Sequence, residues 1–476
     1  MITFTICLFV LIIGYFVYGR FVEKVFGADD RPTPAITKAD GVDFIPMPAW
    51  KLFMIQFLNI AGLGPIFGAI MGAKFGTASF LWIVLGSIFA GATHDYIAGM
   101  LSLRNSGENL PDIIGRYLGK NAKLIMRIFT IVLMVLVGAV FVAGPAGLIA
   151  NLTPSALNTT FWMIVIFLYY LLATLLPIDK IIGRVYPIFA AALLFMAIGV
   201  LVMLYVNMPV LPEIWDGLEN THPNAEKLPI FPIMFVSIAC GAISGFHATQ
   251  SPLTARCMKK EKYGRPVFYG AMIVEGMVAL VWAAAATYFF QKNGMGESNA
   301  AVIVNDITNS WLGVVGGILA ILGVIAAPIT SGDTALRSAR LIIADFFNIE
   351  QKSIKKRLLI CVPMFACTFL LLLYSLRDAA GFDLIWRYFS WANQTLSVFT
   401  LWAITVFLVR ERKGLYFIIT LIPALFMTAI CASYICVAPE GFGILPDFSL
   451  VIASVVAAIS LVLFSIWYTK AKRNKV

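Results

Sequence analysis

The residues of this chain that could do chemistry sit inside apolar runs. The stretch Cys240-Gly-Ala-Ile-Ser-Gly-Phe-His-Ala-Thr-Gln-Ser-Pro252 interrupts a hydrophobic segment reaching from about Ile230 to Arg256. Two glycines, a histidine, three hydroxyl side chains, a glutamine and a proline are foreign to a lipid-facing helix, because a polar group left unpaired in hydrocarbon costs several kcal/mol. The pattern predicts a helix broken around something polar. Ser244, Gly245, His247 and Gln250 are its candidate substrate-lining residues. His247 is also a candidate for proton coupling, since an ordinary imidazole, with a pKa of about 6.5, exchanges protons near neutral pH.

A second stretch is alike in kind. Asn59-Ile-Ala-Gly-Leu-Gly-Pro65 places two glycines and a proline in the middle of an apolar run, where they interrupt helical hydrogen bonding. Asn59, Gly62 and Gly64 join the substrate candidates. Among the 25 acids, only Asp95, Glu275 and Asp333 fall in or at the ends of apolar spans, and an ionisable residue within the membrane is a functional candidate by default. Glu275 and Asp333 are the further candidates for proton coupling. Thr330 and Ser331, beside Asp333 in Ala327-Pro-Ile-Thr-Ser-Gly-Asp-Thr334, offer hard oxygen ligands for a small cation. His94-Asp95 reads as interfacial charge closing the third span. The two amides of Trp391-Ala-Asn-Gln394 either line a path or link helices, and Gly144-Pro145-Ala146-Gly147 either allows close packing or makes a kink.

The elements that must hold these residues follow from composition. The chain of 476 residues is 60% hydrophobic and 13% charged, with mean hydropathy +0.89, which predicts an all-α polytopic membrane protein. About thirteen apolar segments are long enough to span, at about 20 residues each: 2–19, 50–73, 77–100, 125–149, 160–177, 186–208, 230–255, 267–290, 311–332, 358–376, 388–409, 415–438 and 449–469. With the N-terminus outside and the C-terminus cytoplasmic, all but five of the 35 lysines and arginines (Lys74, Lys227, Lys292, Arg377 and Arg387) fall on the inner side, as the positive-inside rule requires. The net charge of +10 therefore belongs to topology, and nucleic acid is not expected as a partner. The seven cysteines are scattered, without metal-ligand spacing.

The two interrupted spans are the second and the seventh. Five spans apart, they cross in opposite directions, the sequence mark of a transporter built from inverted repeats. The expected organisation is a first helix and inner loop over 1–49, a five-helix repeat over 50–208 and an acidic outer loop over 209–229. A second repeat over 230–409 and two peripheral helices with a basic tail over 410–476 complete it. Enzyme motifs such as HExxH, GxSxG or a P-loop do not occur, so transport is expected to run on an ion gradient.

Several motifs together resemble a known family. Val25-Phe-Gly-Ala-Asp-Asp-Arg-Pro-Thr-Pro-Ala35, Ile60-Ala-Gly-Leu-Gly-Pro-Ile66, His94-Asp95, Cys240-Gly-Ala-Ile-Ser-Gly-Phe-His247 and Trp391-Ala-Asn-Gln394 are similar to those of the carbon starvation protein A family of bacterial inner-membrane transporters. The resemblance implies a LeuT-like five-plus-five core with discontinuous helices 2 and 7, and symport of peptides, amino acids or pyruvate-like acids, coupled to sodium or protons. A channel or facilitator for organic acids and a membrane sensor of carbon limitation are the alternatives. Partners implied are the small-molecule substrate, the lipid bilayer and a homo-oligomer. No cofactor is expected beyond a bound sodium ion. For that ion the Ala327-x-x-Thr330-Ser331 pattern resembles half of the sodium site of sodium-coupled relatives, with Ala61 and Gly64 backbone as partners. Where long family members carry a histidine pair, this chain has Ile55-Gln-Phe-Leu-Asn59.

Overall fold

The computed structural model describes residues 1–41, 43–175, 178–295, 300–351, 353–377, 381–411 and 414–473. Helices account for the regular structure of the described residues, apart from one isolated bridge between Met47 and Met258. Among the described residues ten helices are long and apolar enough to cross a membrane, and the bent pair Ala49–Ile60 and Gly64–Ala73 makes an eleventh where its halves count as one span. The segments expected at 160–177 and 311–332 fall on the helices Thr159–Leu175 and Ala300–Phe347, so each of the thirteen expected spans meets a helix. The expected boundaries are short in places. The helix Ala300–Phe347 is interrupted by non-helical backbone at Gly313 (φ 63°, ψ −171°), close to the expected start of the ninth span, and its second part continues past the expected end at 332 to Phe347.

Both expected interruptions are present. The second span leaves helical geometry at Ala61 (φ −79°, ψ 53°) and resumes at Gly64, with a bend of 56° between its halves. The seventh span, Ile230–Ala255, unwinds at Ala239 (φ 33°, ψ −105°), passes through a short 3-10 turn and an extended Ser244, and starts a new helix at Gly245. The two interruptions pack directly against each other.

Small residues make that approach possible. A Cβ built on Gly64 would overlap the Cys240 side chain, with Sγ at 2.6 Å, and one on Gly68 would stand 2.8 Å from the Ser237 carbonyl oxygen. The third span, Ala78–Arg104, closes in from another side: a Cβ on Gly91 would overlap the Ala242 carbonyl and one on Gly86 the Ala242 methyl. Gly144 of the fourth helix, Lys120–Ala150, lies against the Leu63 side chain, so its glycine serves close packing against the second span. Around this centre the ninth helix packs on the fourth and the sixth, Ile178–Asn207, and the eleventh, Gly381–Glu411, packs on the fourth and the seventh.

The contact between the breaks can be tested by size. Gly64→Ala is expected to cost about 1–3 kcal/mol through overpacking, read as a lower melting temperature in detergent. Gly147→Ala, where nothing lies within 4 Å of the added Cβ, should leave the melting temperature unchanged. Equal effects of the two would contradict the close approach.

Candidate functional site

The unwound segment of the seventh span is buried, so its backbone needs protein partners. The eleventh helix supplies them. Asn393 Oδ1 accepts hydrogen bonds from the Phe246 N–H (2.7 Å) and the Ser244 hydroxyl (3.0 Å), while its Nδ2 donates to Cys240 Sγ (3.2 Å). Gln394 Nε2 donates to the Ile243 carbonyl at 3.2 Å. The third span adds the Ser87 hydroxyl, which donates to the Gly241 carbonyl at 3.0 Å. Of the two readings of the amides in Trp391-Ala-Asn-Gln394, the structure realises the linking of helices. Asn393 also fixes where the half-helix Gly245–Ala255 begins, because Phe246 stands in its first turn.

Beside that half-helix lies a chain of four ionisable side chains. His247 Nδ1 is 2.8 Å from Asp95 Oδ2, and His94 Nδ1 is 2.7 Å from Asp95 Oδ1. On its other edge His247 Nε2 is 3.4 Å from Glu275 Oε2. All four side chains are fully buried. An ionised carboxylate only accepts, so with Asp95 charged both histidines present an N–H from Nδ1. Any further proton of the His247–Glu275 pair then resides on Nε2 or on the glutamic acid. His247 and Glu275, separate candidates in the sequence, are thus brought together.

Asp95, which the sequence suggests is an interfacial charge, stands in the middle of this cluster. Far from closing its span at an interface, His94-Asp95 lies within the helix Ala92–Arg104, fully buried against the seventh span. Gly86 and Gly91, about one to two and a half turns earlier, are the signal the sequence offers, since they let the third span approach the break. The histidines flanking one carboxylate here come from the third and seventh spans. Gln56 of the second span accepts a hydrogen bond from the Thr254 hydroxyl at 2.7 Å.

The candidate cation ligands are less closely gathered. Ser331 reaches the second span: its hydroxyl donates to the Leu58 carbonyl at 2.9 Å, a group that loses its helical partner as the chain leaves the helix, and it faces Gly62. The Thr330 hydroxyl bonds within its own helix, to the carbonyls of Ala326 (2.9 Å) and Ala327 (2.8 Å). Ala61 and Gly64 lie buried in the break. Asp333 belongs to a different cluster, where the Tyr186 hydroxyl donates to Asp333 Oδ2 at 3.0 Å and to the Thr330 carbonyl at 3.0 Å, with Arg337 4.0 Å from Oδ1. No group of three or more His, Cys, Asp or Glu side chains suited to a metal ion occurs among the described residues.

Buried polar atoms without a protein hydrogen-bond partner are few in folded proteins, and each calls for a ligand, water or ion. Here several lie on the two broken spans or on the eighth and eleventh helices beside them. They are both amide atoms of Asn59, Gln250 Oε1, His247 Nε2, both Glu275 oxygens and Gln394 Oε1. Asn59, Gln250 and His247 were substrate candidates in the sequence. Ser244 and Gly245, by contrast, are held by the eleventh helix, and Gly62 and Gly64 serve close packing.

Known proteins resemble this chain over most of its length. Over 529 aligned positions, 89% of this chain and 88% of the relative, it is 29% identical to the peptide transporter CstA of Bacillus subtilis. An uncharacterized membrane protein of Haemophilus influenzae is 43% identical over 61% of this chain and 92% of its own. The pyruvate/proton symporter BtsT of Escherichia coli is 29% identical over 58% of this chain, which spans about half (48%) of that relative. Among solved structures, a manganese transporter of Eremococcus coleocola in mutant form superposes with a TM-score of 0.58 at 13% identity, over 92% of this chain and 99% of that one. MhsT in complex with L-phenylalanine superposes with a TM-score of 0.57 at 14% identity, over 86% and 97%. The fold is that of the LeuT-like transporters, and the protein is a transporter of the membrane rather than an enzyme. The model of the family described as carbon starvation protein CstA matches residues 1–161, 149–314 and 293–433, and the chain belongs to that family.

Proposed function

We propose that this protein is a secondary active symporter that takes up peptides or small carboxylates such as pyruvate by alternating access, with a proton as the coupling ion. The observation that carries the reading is the buried chain His94–Asp95–His247–Glu275 running alongside an unwound helix. Substrate and proton would then meet at one element: movement of Gly245–Ala255 moves His247 with it. The relatives named as peptide transporters and as a pyruvate/proton symporter support the substrate classes and the ion.

The substrate's carboxylate is read as sitting at the start of Gly245–Ala255. A helix N-terminus offers first-turn N–H groups and the positive end of the dipole, and Asn59 and Gln250 supply polar atoms that lack protein partners. Segments 50–208 and 230–409 are read as the two repeats that rock against each other. The orientation proposed, in a bacterial inner membrane, puts the N-terminus outside and the C-terminus in the cytoplasm, supported by the one-sided distribution of lysine and arginine. Sodium is the competing ion, and the observation that favours it is the Ser331 hydroxyl at the broken second span.

The deciding experiment is uptake of labelled pyruvate, amino acids and dipeptides into proteoliposomes, with sodium and proton gradients imposed separately. Accumulation is expected to follow an inward proton gradient and to ignore sodium. Asp95→Asn and His247→Gln should lower proton-driven accumulation at least tenfold while substrate counterflow persists. Accumulation driven by sodium alone would move the coupling role to the Ser331 region and refute the proton reading. Asn393→Ala should cost about 1–3 kcal/mol, since it leaves the buried Phe246 N–H and Ser244 hydroxyl without their acceptor. It is expected to lower the melting temperature and to weaken substrate binding; unaltered binding would contradict its role in shaping the half-helix start.

A further inference from the structure

We infer that the protein carries a binding site for an anionic phospholipid, formed where an apolar groove between the last three helices opens onto an arginine-lined cavity. The groove has a volume of about 760 Å³ and runs along the eleventh helix from Trp391 to Arg410. At 1.5 Å per residue that is about 28 Å, nearly the full thickness of the hydrocarbon layer, about 30 Å. Its other walls come from the twelfth and thirteenth helices, Ile418–Val437 and Pro446–Arg473. Leu463 of the thirteenth helix lines it while 62% exposed, and that helix is the least buried of the spans. The groove is therefore open sideways, to lipid rather than to water.

The polar end is what selects the occupant. Arg116, Tyr117 and Arg410 line both this groove and a second cavity of about 550 Å³. The walls of that cavity carry four arginines, Arg31, Arg104, Arg116 and Arg410, against two carboxylates, Asp29 and Glu411. On the far wall Arg31 is paired with Asp29 (2.6 Å), and Arg104 with Glu261 (2.8 Å). At the junction, Arg116 meets Glu108 in an exposed ion pair, which is worth little and is readily exchanged for a phosphate. The Arg410 guanidinium lies over the Trp467 ring, 5.7 Å from its centroid, so an apolar face and a cation share one corner. Lys470, Lys472 and Arg473 continue the basic character past Trp467 at the end of the thirteenth helix.

An apolar channel one bilayer deep, cationic at the basic face and open to the membrane, matches an amphiphile with acyl chains and a negatively charged head. Basic pockets between helices on that face are the expected seats of anionic headgroups. The site is separate from the transport chain, yet Trp391 of its wall stands two residues before Asn393, so a bound lipid braces the helix that holds the unwound segment.

The test uses the full chain purified in detergent, delipidated, and supplied with phosphatidylglycerol, phosphatidylcholine or glycerophosphoglycerol. Native mass spectrometry should show retained phosphatidylglycerol, at least tenfold over phosphatidylcholine, and no retained glycerophosphoglycerol. Arg116→Gln with Arg410→Gln should lower retention at least tenfold, and Ala432→Trp, which fills the groove, should do the same. Both variants should keep the wild-type melting temperature in lipid-free detergent, which separates loss of the site from loss of the fold. Equal retention of the two phospholipids, retention of the chainless headgroup, or wild-type retention in both variants would overturn the proposal.

Discussion

A helix that unwinds inside a membrane protein exposes N–H and C=O groups that no water reaches, and the structure depends on how they are answered. Asn393 does most of this at the seventh span, with one oxygen accepting from Ser244 and Phe246 and its nitrogen directed at Cys240. Gln394 and Ser87 take two of the carbonyls. At the second span Ser331 takes the Leu58 carbonyl. The three partners on the seventh span lie on the third and eleventh helices, so those helices are bound to the break, and His94 and Asp95 arrive at His247 as a consequence of the same packing.

The sequence revealed the breaks because glycine and proline in mid-span have few other uses in lipid, and it revealed the spans because composition alone excludes a soluble chain. Depth and rotation were not legible. His94-Asp95 looked interfacial because a linear hydropathy profile does not say which face of a helix meets another, and the third span's inward face meets the seventh. The amides of Trp391-Ala-Asn-Gln394 allowed two roles for the same reason. Periodicity gave no hint of how far the ninth helix continues past its apolar part, since residues such as Arg337 and Arg340 are buried there by packing against protein.

Among the candidate residues, Asn59 and Gln250 carry buried polar atoms without a hydrogen-bond partner, and His247 and Glu275 face each other at 3.4 Å. Thr330 satisfies its hydroxyl within its own helix, and Asp333 belongs with Tyr186 and Arg337. A motif fixes residue types and spacing, whereas whether a hydroxyl turns toward a neighbouring helix or back on its own depends on a rotamer that the motif does not specify.

The proposed coupling of substrate uptake to protons rests on the buried cluster His94–Asp95–His247–Glu275. The most direct measurement is the lumenal pH of weakly buffered, sodium-free proteoliposomes when a substrate gradient is imposed at equal pH on both sides. Wild-type protein should acidify the lumen as substrate enters, and Asp95→Asn should exchange substrate without any pH change. Substrate entry with a constant lumenal pH in the wild type would contradict the account.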